Sequence, residues 1–272
     1  VTPVLLLSFG GPEAPDEILP FLRRVTAGRG IPDARLERVA GQYRHFGGVS
    51  PLPEACRALA DSLPVPTYLG NLYSAPFVDD AFAAMEADGV TACDVLVTSS
   101  YGADASCRRY GDTLRGRAVQ TRRLPLVAAW PGFAEAWRSV IPDDDRRVVF
   151  TAHSLPTDMA ARSPYEASIR TSCAAIGEGR TWTLAWQSRS GSPAQPWLGP
   201  DVGEVVRDGD VVVPIGFPLA NLEIEWDLAV QAAEVADLEV VRPPALGPLA
   251  AAAIASGIRL PEACSSACCE LA

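Results

Sequence analysis

Val148-Val149-Phe150-Thr151-Ala152-His153-Ser154-Leu155-Pro156 is an apolar, β-branched run that carries an imidazole to its end and then breaks at proline. A run without polar alternation reads as a strand buried on both faces, the kind found in parallel sheets. Working outward, Val211-Val212-Val213-Pro214-Ile215-Gly216-Phe217 ends the same way. It is soon followed by Glu223-Ile224-Glu225-Trp226-Asp227. Ligands of open parallel sheets bind beyond the carboxyl ends of the strands. His153 and Glu223 are therefore expected at strand ends facing one cavity.

The rest of the chain supports that sheet. Strands are expected at Val4–Phe9, Pro66–Gly70, Asp94–Ser99, Arg147–Ala152, Thr181–Gln187, Asp210–Ile215 and Leu238–Arg242. Helices are expected at Asp16–Thr26, Pro32–Arg44, Pro51–Ser62, Pro76–Asp88, Pro131–Val140, Pro164–Ala175 and Glu223–Ala236. Several open on proline, whose missing N–H is harmless in a first turn. Strands alternating with helices argue for βαβ units and an α/β fold. Leu5–Pro12 and Val148–Pro156 repeat one strand-to-turn plan, and the acidic loop Pro142–Asp145 separates them. We therefore expect halves at 1–145 and 146–243, with 244–272 packing back on the first.

Composition narrows the function. The 272 residues carry a formal charge of −10 and an isoelectric point near 4.7, which excludes a phosphate-backbone partner. All 23 basic residues are arginine, so Schiff-base chemistry and a Walker-type lysine are excluded. The apolar stretch at 4–7 is too short for a signal-peptide core, and Leu249–Ala255 falls well below the roughly 20 residues of a membrane span. A cytoplasmic protein without a transmembrane segment is the expectation. Its seven cysteines then read as ligands or core thiols rather than disulfides.

Six stretches in order carry a resemblance. Leu7–Pro12 (LSFGGP), Gly28–Pro32 (GRGIP), Tyr43–Pro51 (YRHFGGVSP), Thr151–Pro156 (TAHSLP), Trp186–Gly191 (WQSRSG) with Pro196–Leu198, and Pro214–Asp227 (PIGFPLANLEIEWD) resemble the ferrochelatases, the actinobacterial coproporphyrin type above all. The resemblance implies two Rossmann-like, chelatase-type domains with a cleft between them. It also implies insertion of ferrous iron into a porphyrin, with His153 and Glu223 acting at the metal. It assigns Phe9 and Tyr101 to apolar walls, Ser50 to a propionate contact, and Glu223 and Asp227 to a carboxylate line. Imidazole and carboxylate can each accept a pyrrole proton or bind a divalent ion. His45 reads as structural and Glu225 as ordinary surface.

The chain departs from the family pattern in four places. Asn221 stands where Asp-His usually precedes Leu-Glu, Gln231 ends the carboxylate line without an acid, Gly70–Phe77 is smaller and more apolar, and connections are trimmed after about residue 115. Asparagine can form hydrogen bonds in the substrate site but cannot relay a proton. Two other readings stay open: a chelatase scaffold redirected to a small nitrogen-containing metabolite, and a porphyrin or haem carrier.

Cys264, Cys268 and Cys269 crowd the end of the chain. Three thiols are too few for a [2Fe–2S] cluster, which takes four protein ligands. The resemblance supplies a fourth, Cys107, and so implies a [2Fe–2S] cofactor; a structural zinc site and a reactive tail are the alternatives. Cys56, Cys93 and Cys173 read as packing residues.

Overall fold

The computed structural model of the chain describes residues 1–190 and 194–260. Two four-stranded parallel sheets are flanked by helices. The first has the order β2-β1-β3-β4, from β1 (Val4–Ser8), β2 (Thr67–Asn71), β3 (Ala92–Val97) and β4 (Gln120–Arg123). The second has the order β6-β5-β7-β8, from β5 (Val148–His153), β6 (Trp182–Gln187), β7 (Val211–Val213) and β8 (Glu239–Val240). The helices are α1 (Ile18–Val25), α2 (Asp33–His45), α3 (Pro51–Ser62), α4 (Val78–Ala87), α5 (Arg109–Asp112), α6 (Phe133–Val140), α7 (Thr157–Ala160), α8 (Tyr165–Ile176), α9 (Val202–Val205) and α10 (Gly247–Ala255). A π-helix, Ile224–Gln231, lies between β7 and β8.

Strand alternation sorts the core into layers. Val148, Phe150 and Ala152 join a large cluster that also takes Leu6 and Leu96 from the first half and Trp137 and Trp186. Val149 points to the opposite face and packs with Leu228 and Ala232 of the π-helix segment. Because side chains repeat every two residues along a strand, Thr151 and His153 share that π-helix face. Both faces of β5 are thus covered, which is why its sequence is apolar without alternation.

Buried ion pairs lock the polar ends of the strands. Arg147 makes a forked contact with Asp210, Nε to Oδ1 at 2.9 Å and Nη2 to Oδ2 at 2.5 Å, and also donates to the Val205 carbonyl at 2.7 Å. Asp94, 1% exposed, receives Arg122 at 3.0 Å and Arg259 at 2.6 Å. Leu260 N–H donates to the Arg123 carbonyl at 2.7 Å, so residues 259–260 lie against the edge of the first sheet.

Three elements differ from the sequence reading. β4, Gln-Thr-Arg-Arg, has no apolar pattern because it is a partly exposed edge strand, where charges discourage pairing with other chains. The continuous helix expected over Glu223–Ala236 is a π-helix that passes into a short 3-10 turn, Ala232–Glu234. The Ala-rich stretch near residue 250 forms α10, with Leu249, Ala250 and Ala253 in the core. Among the described residues no helix is long and apolar enough to cross a membrane.

Truncation of the buried carboxylate should expose the weight of one lock. Asp210→Ala leaves Arg147 without its forked partner and should lower unfolding stability by about 3 kcal/mol, measured by urea denaturation. The buried thiol Cys173, truncated to Ala as a control, should leave the Arg147 contact intact.

Candidate active site

His153 ends β5 and pairs in register with Gln187, the last residue of β6. Its Nδ1 lies 2.6 Å from the Ser154 carbonyl oxygen. A carbonyl only accepts, so Nδ1 carries the proton and Nε2 keeps its lone pair. Tyr165 fixes the backbone beneath, donating its hydroxyl to the His153 carbonyl at 2.9 Å. Burial pushes the imidazole pKa down, more than the Ser154 contact and nearby Asp227 raise it. The side chain is a neutral base at neutral pH.

Two carboxylates lie on the π-helix side: Asp227 acts electrostatically on the imidazole, and Glu223 acts on Asp227. The turn after β7 ends at Asn221, whose Oδ1 accepts from the Ile224 N–H at 3.0 Å and starts the helix. Gln187 Nε2 donates to the Glu223 carbonyl at 3.2 Å, tying the helix start to β6. Ser188 Oγ donates to the Asp227 carboxylate. Burial raises the Glu223 pKa. Burial also pushes Asp227 up to about 6, opposed by the Ser188 hydrogen bond and reinforced by Glu223. Each of the three groups therefore shifts toward its neutral form, which is the effect of low dielectric on ionisable groups.

Across from this line the first half supplies an aromatic shelf. Leu72 and Tyr73 N–H groups donate to the Ser8 and Phe9 carbonyls, carrying the β1–β2 pairing past the strand ends. Phe9, 37% exposed, lies 4.7 Å from Tyr73 and 6.0 Å from Phe21 between ring centroids. Arg24 Nε donates to the Tyr73 carbonyl at 2.7 Å, and the Arg109 guanidinium sits over the Tyr73 ring at 5.2 Å. A cavity of about 670 Å³ opens beside them, lined by Leu72, Tyr73, Arg108, Arg109, Asp112 and Thr113. His45, at the end of α2, is exposed and packs edge-on against Phe46 and Trp226.

The structure thus gathers His153, Glu223 and Asp227, with Phe9 on the first-half shelf. It uses three other expected contacts differently. Tyr101 is 3% exposed and packs edge-on against Phe133 and Tyr165, so it is core rather than an open wall. Ser50, 4% exposed, caps α3 by accepting from the Leu52 N–H at 3.4 Å. Asn221 spends its carbonyl oxygen on the helix start rather than on an open pocket. Glu225, read as plain surface, makes a forked ion pair with Arg242. Gln231 is exposed. Sequence reasoning missed Gln187 and Ser188, although Trp186–Gly191 contains them; nothing in a Gln-Ser dipeptide signals a contact with a helix far along the chain.

Cys107 is the penultimate residue of a short π-helix, Asp104–Arg108, and is 6% exposed. Cys264, Cys268 and Cys269 lie outside the described residues. Cys56, Cys93 and Cys173 are fully buried, and burial pushes their thiols up to about 11, 11 and 12, respectively. Such thiols are inert packing groups. Among the described residues no group of three His, Cys, Asp or Glu side chains forms a ready-made metal cage.

Two parallel sheets with functional groups at their carboxyl ends define a chelatase-type fold. Two solved structures share it. SirB from Bacillus subtilis with Fe3+ superposes with a TM-score of 0.55 at 12% identity, covering 94% of this chain and 93% of that one. CbiX, the terminal enzyme for biosynthesis of siroheme in denitrifying bacteria, gives 0.56 at 15% identity, covering 95% and 100%. At those identities the likeness is one of fold. Sequence goes further: the ferrochelatase family profile matches residues 1–255, and the chain belongs to the ferrochelatase family. It is 39% identical over 273 residues to the coproporphyrin III ferrochelatase of Mycolicibacterium smegmatis, covering 86% of this chain and 80% of that one. It is 40% identical over 278 residues to the coproporphyrin III ferrochelatase of Frankia alni, covering 86% and 72%.

The raised Asp227 pKa makes a stability prediction with a definite sign. Folding raises it, so ionising Asp227 opposes folding; the penalty is full above about pH 6 and mostly gone near pH 4. Asp227→Asn should therefore stabilise the fold by about 1–2 kcal/mol at pH 8, with little gain at pH 4. Urea unfolding at the two pH values measures it.

Proposed function

We propose that this chain is an enzyme that inserts ferrous iron into a coproporphyrin-type tetrapyrrole, a step of haem formation. The observation that carries the reading is His153: a neutral imidazole with its Nε2 lone pair available, beside two half-buried carboxylates, in a chain matched to ferrochelatases over residues 1–255. Metallation replaces two pyrrole N–H protons with one divalent ion and releases two protons. His153 Nε2 accepts a pyrrole proton. Glu223 and Asp227, their affinity for protons raised by burial, take protons onward and draw the cation toward the site. They carry the cation without caging it, which suits an ion that must leave for the macrocycle. Phe9, backed by the buried Tyr73 ring, offers a ring face for a flat apolar substrate, and Arg24 and Arg109 place positive charge beside it for peripheral carboxylates.

The reading extends to a [2Fe–2S] cluster held by Cys107, Cys264, Cys268 and Cys269. Two observations support it. The Cys107 thiol and Leu126 both lie within 3.5 Å of the space above Gly102, and Leu260 is bridged to Arg123, three residues before Leu126. The chain is thus brought to that edge four residues before Cys264, a reach of roughly 13 Å when extended. Four thiolates suit this cluster, which supplies a one-electron couple and a tie between the tail and the first half. A cytoplasmic setting fits the inert buried thiols.

The decisive experiment is anaerobic incubation with coproporphyrin III and ferrous iron, followed by the absorbance of the metallated product. Turnover is expected, and His153→Ala should reduce it by about 10²–10⁴-fold without unfolding the protein. Binding without turnover identifies a carrier. Failure on every porphyrin, with His153 essential for some other conversion, identifies a redirected scaffold.

A second measurement addresses the cluster. Protein purified without oxygen should be red-brown, with about two irons and two sulfides per chain, and Cys107→Ser should be colourless. Zinc in place of iron, or full colour in that variant, overturns the assignment.

A further inference from the structure

Among the described residues, Ser188 is the one residue other than glycine with a positive φ, +63°. That region places Cβ against the carbonyl oxygen, and a serine stays there only where its surroundings hold it. The surroundings are specific. Gln187, one residue earlier, closes β6 beside His153 and donates Nε2 to the Glu223 carbonyl. The left-handed turn at Ser188 then swings its Oγ onto the Asp227 carboxylate. The end of β6 therefore grips the π-helix at two points four residues apart, one on the backbone and one on a side chain.

Gln187 confirms how closed this junction is: it is 1% exposed, and its Oε1 is buried. The grip also explains the conformation. An extended residue at 188 would carry its side chain away from the helix, and Asp227 would lose its hydroxyl donor. Asp227 belongs to a wide helix whose backbone hydrogen bonds run i to i+5, the kind often found at functional sites.

We propose that Ser188 is a positioning residue for the known family reaction: its strained backbone holds Asp227 in line with Glu223 and His153, so that the incoming divalent ion meets an aligned pair of carboxylates. This rests on the metal-insertion reading. The hydroxyl meets the Asp227 carboxylate, and it acts through that group.

Three variants test it with ferrous iron and coproporphyrin III. Ser188→Ala removes the hydroxyl and should raise the KM for iron roughly tenfold, with kcat changed by less than about threefold; a lost charge-assisted hydrogen bond has that size. Ser188→Gly removes the hydroxyl and the strain together. It should match the alanine variant in KM while keeping or exceeding the wild-type melting temperature, by up to about 4 °C. Ser188→Asn tolerates the left-handed region and offers an amide donor, so it should return KM to within about threefold of wild type. A merely structural serine would lower stability in alanine and leave the KM for iron unmoved. An unchanged KM in both the alanine and glycine variants overturns the proposal. So does a crystal structure of Ser188→Gly in which the Asp227 carboxylate keeps its place. If the wild-type protein inserts no iron into any porphyrin, the metal-insertion reading fails, and that crystal structure alone decides the clamp.

Discussion

How closely the chain after β7 can approach β5 governs the working end of the molecule. Gly216 donates its N–H to the Thr151 carbonyl at 3.0 Å. A Cβ there would stand 2.7 Å from both Cα and Cβ of Ala152, a distance real Cβ contacts essentially never reach. Glycine permits the approach, and the following turn can therefore fold back over the β5 end to begin a helix at Asn221. Glu223 and Asp227 arrive beside His153 because of that contact. The first half solves a similar problem at Gly10, where φ is +82° and a Cβ would fall 2.4 Å from Ser74 Oγ. Both turns place functional groups at carboxyl strand ends, and both exclude a side chain to do so.

The ionisable groups brought there share a bias. Burial disfavours charge on His153, Glu223 and Asp227 alike. Two fully ionised carboxylates would bind a divalent ion tightly and surrender it slowly, and a charged imidazole would have no lone pair left for a proton or a metal. A neutral imidazole can accept a proton, carboxylates of raised proton affinity take protons up at modest cost, and an arriving cation draws those carboxylates back to their ionised form. The fold holds this arrangement against its own stability, since an ionised Asp227 opposes folding. Residues that lower stability while lining one cleft mark where selection has acted on chemistry rather than packing.

Much of this was legible in the sequence, and the reasons differ by element. β5 was readable because burial on both faces demands an unbroken apolar run, and α3 because Ser50-Pro51 is a strong helix start. The strand-end position of His153 followed from the break at Pro156. β4 was illegible, since an edge strand of Gln120–Arg123 is held by backbone pairing to β3 and not by its side chains. Tyr101 and Ser50 show a different limit: the family resemblance assigned both a role, but contact partners decide whether a residue faces a pocket or a core. Ser188 was hidden for a third reason. Its backbone angle is set by tertiary contacts with a helix 39 residues away, and no local pattern encodes that.

The halves divide the chemistry between them, yet they do not act as separate bodies. Phe9, Tyr73 and the arginines around them come from the first half; His153, Glu223 and Asp227 come from the second. One core runs through both, from Leu6 and Leu96 to Phe150 and Trp186. A second seam closes the other side, where Leu222 joins Ile18, Phe21 and Leu36, and Trp226 packs between His45 and Phe46. Leu222 immediately precedes Glu223 and Trp226 immediately precedes Asp227, so each carboxylate of the line is anchored to the first half by the residue before it. The shelf and the line are therefore registered to each other by packed apolar contacts, which resist displacement more strongly than a solvated hinge. A flat substrate laid on the shelf would meet the imidazole and carboxylates at a fixed height, and that registration follows from Leu222 and Trp226 as much as from the reactive groups themselves.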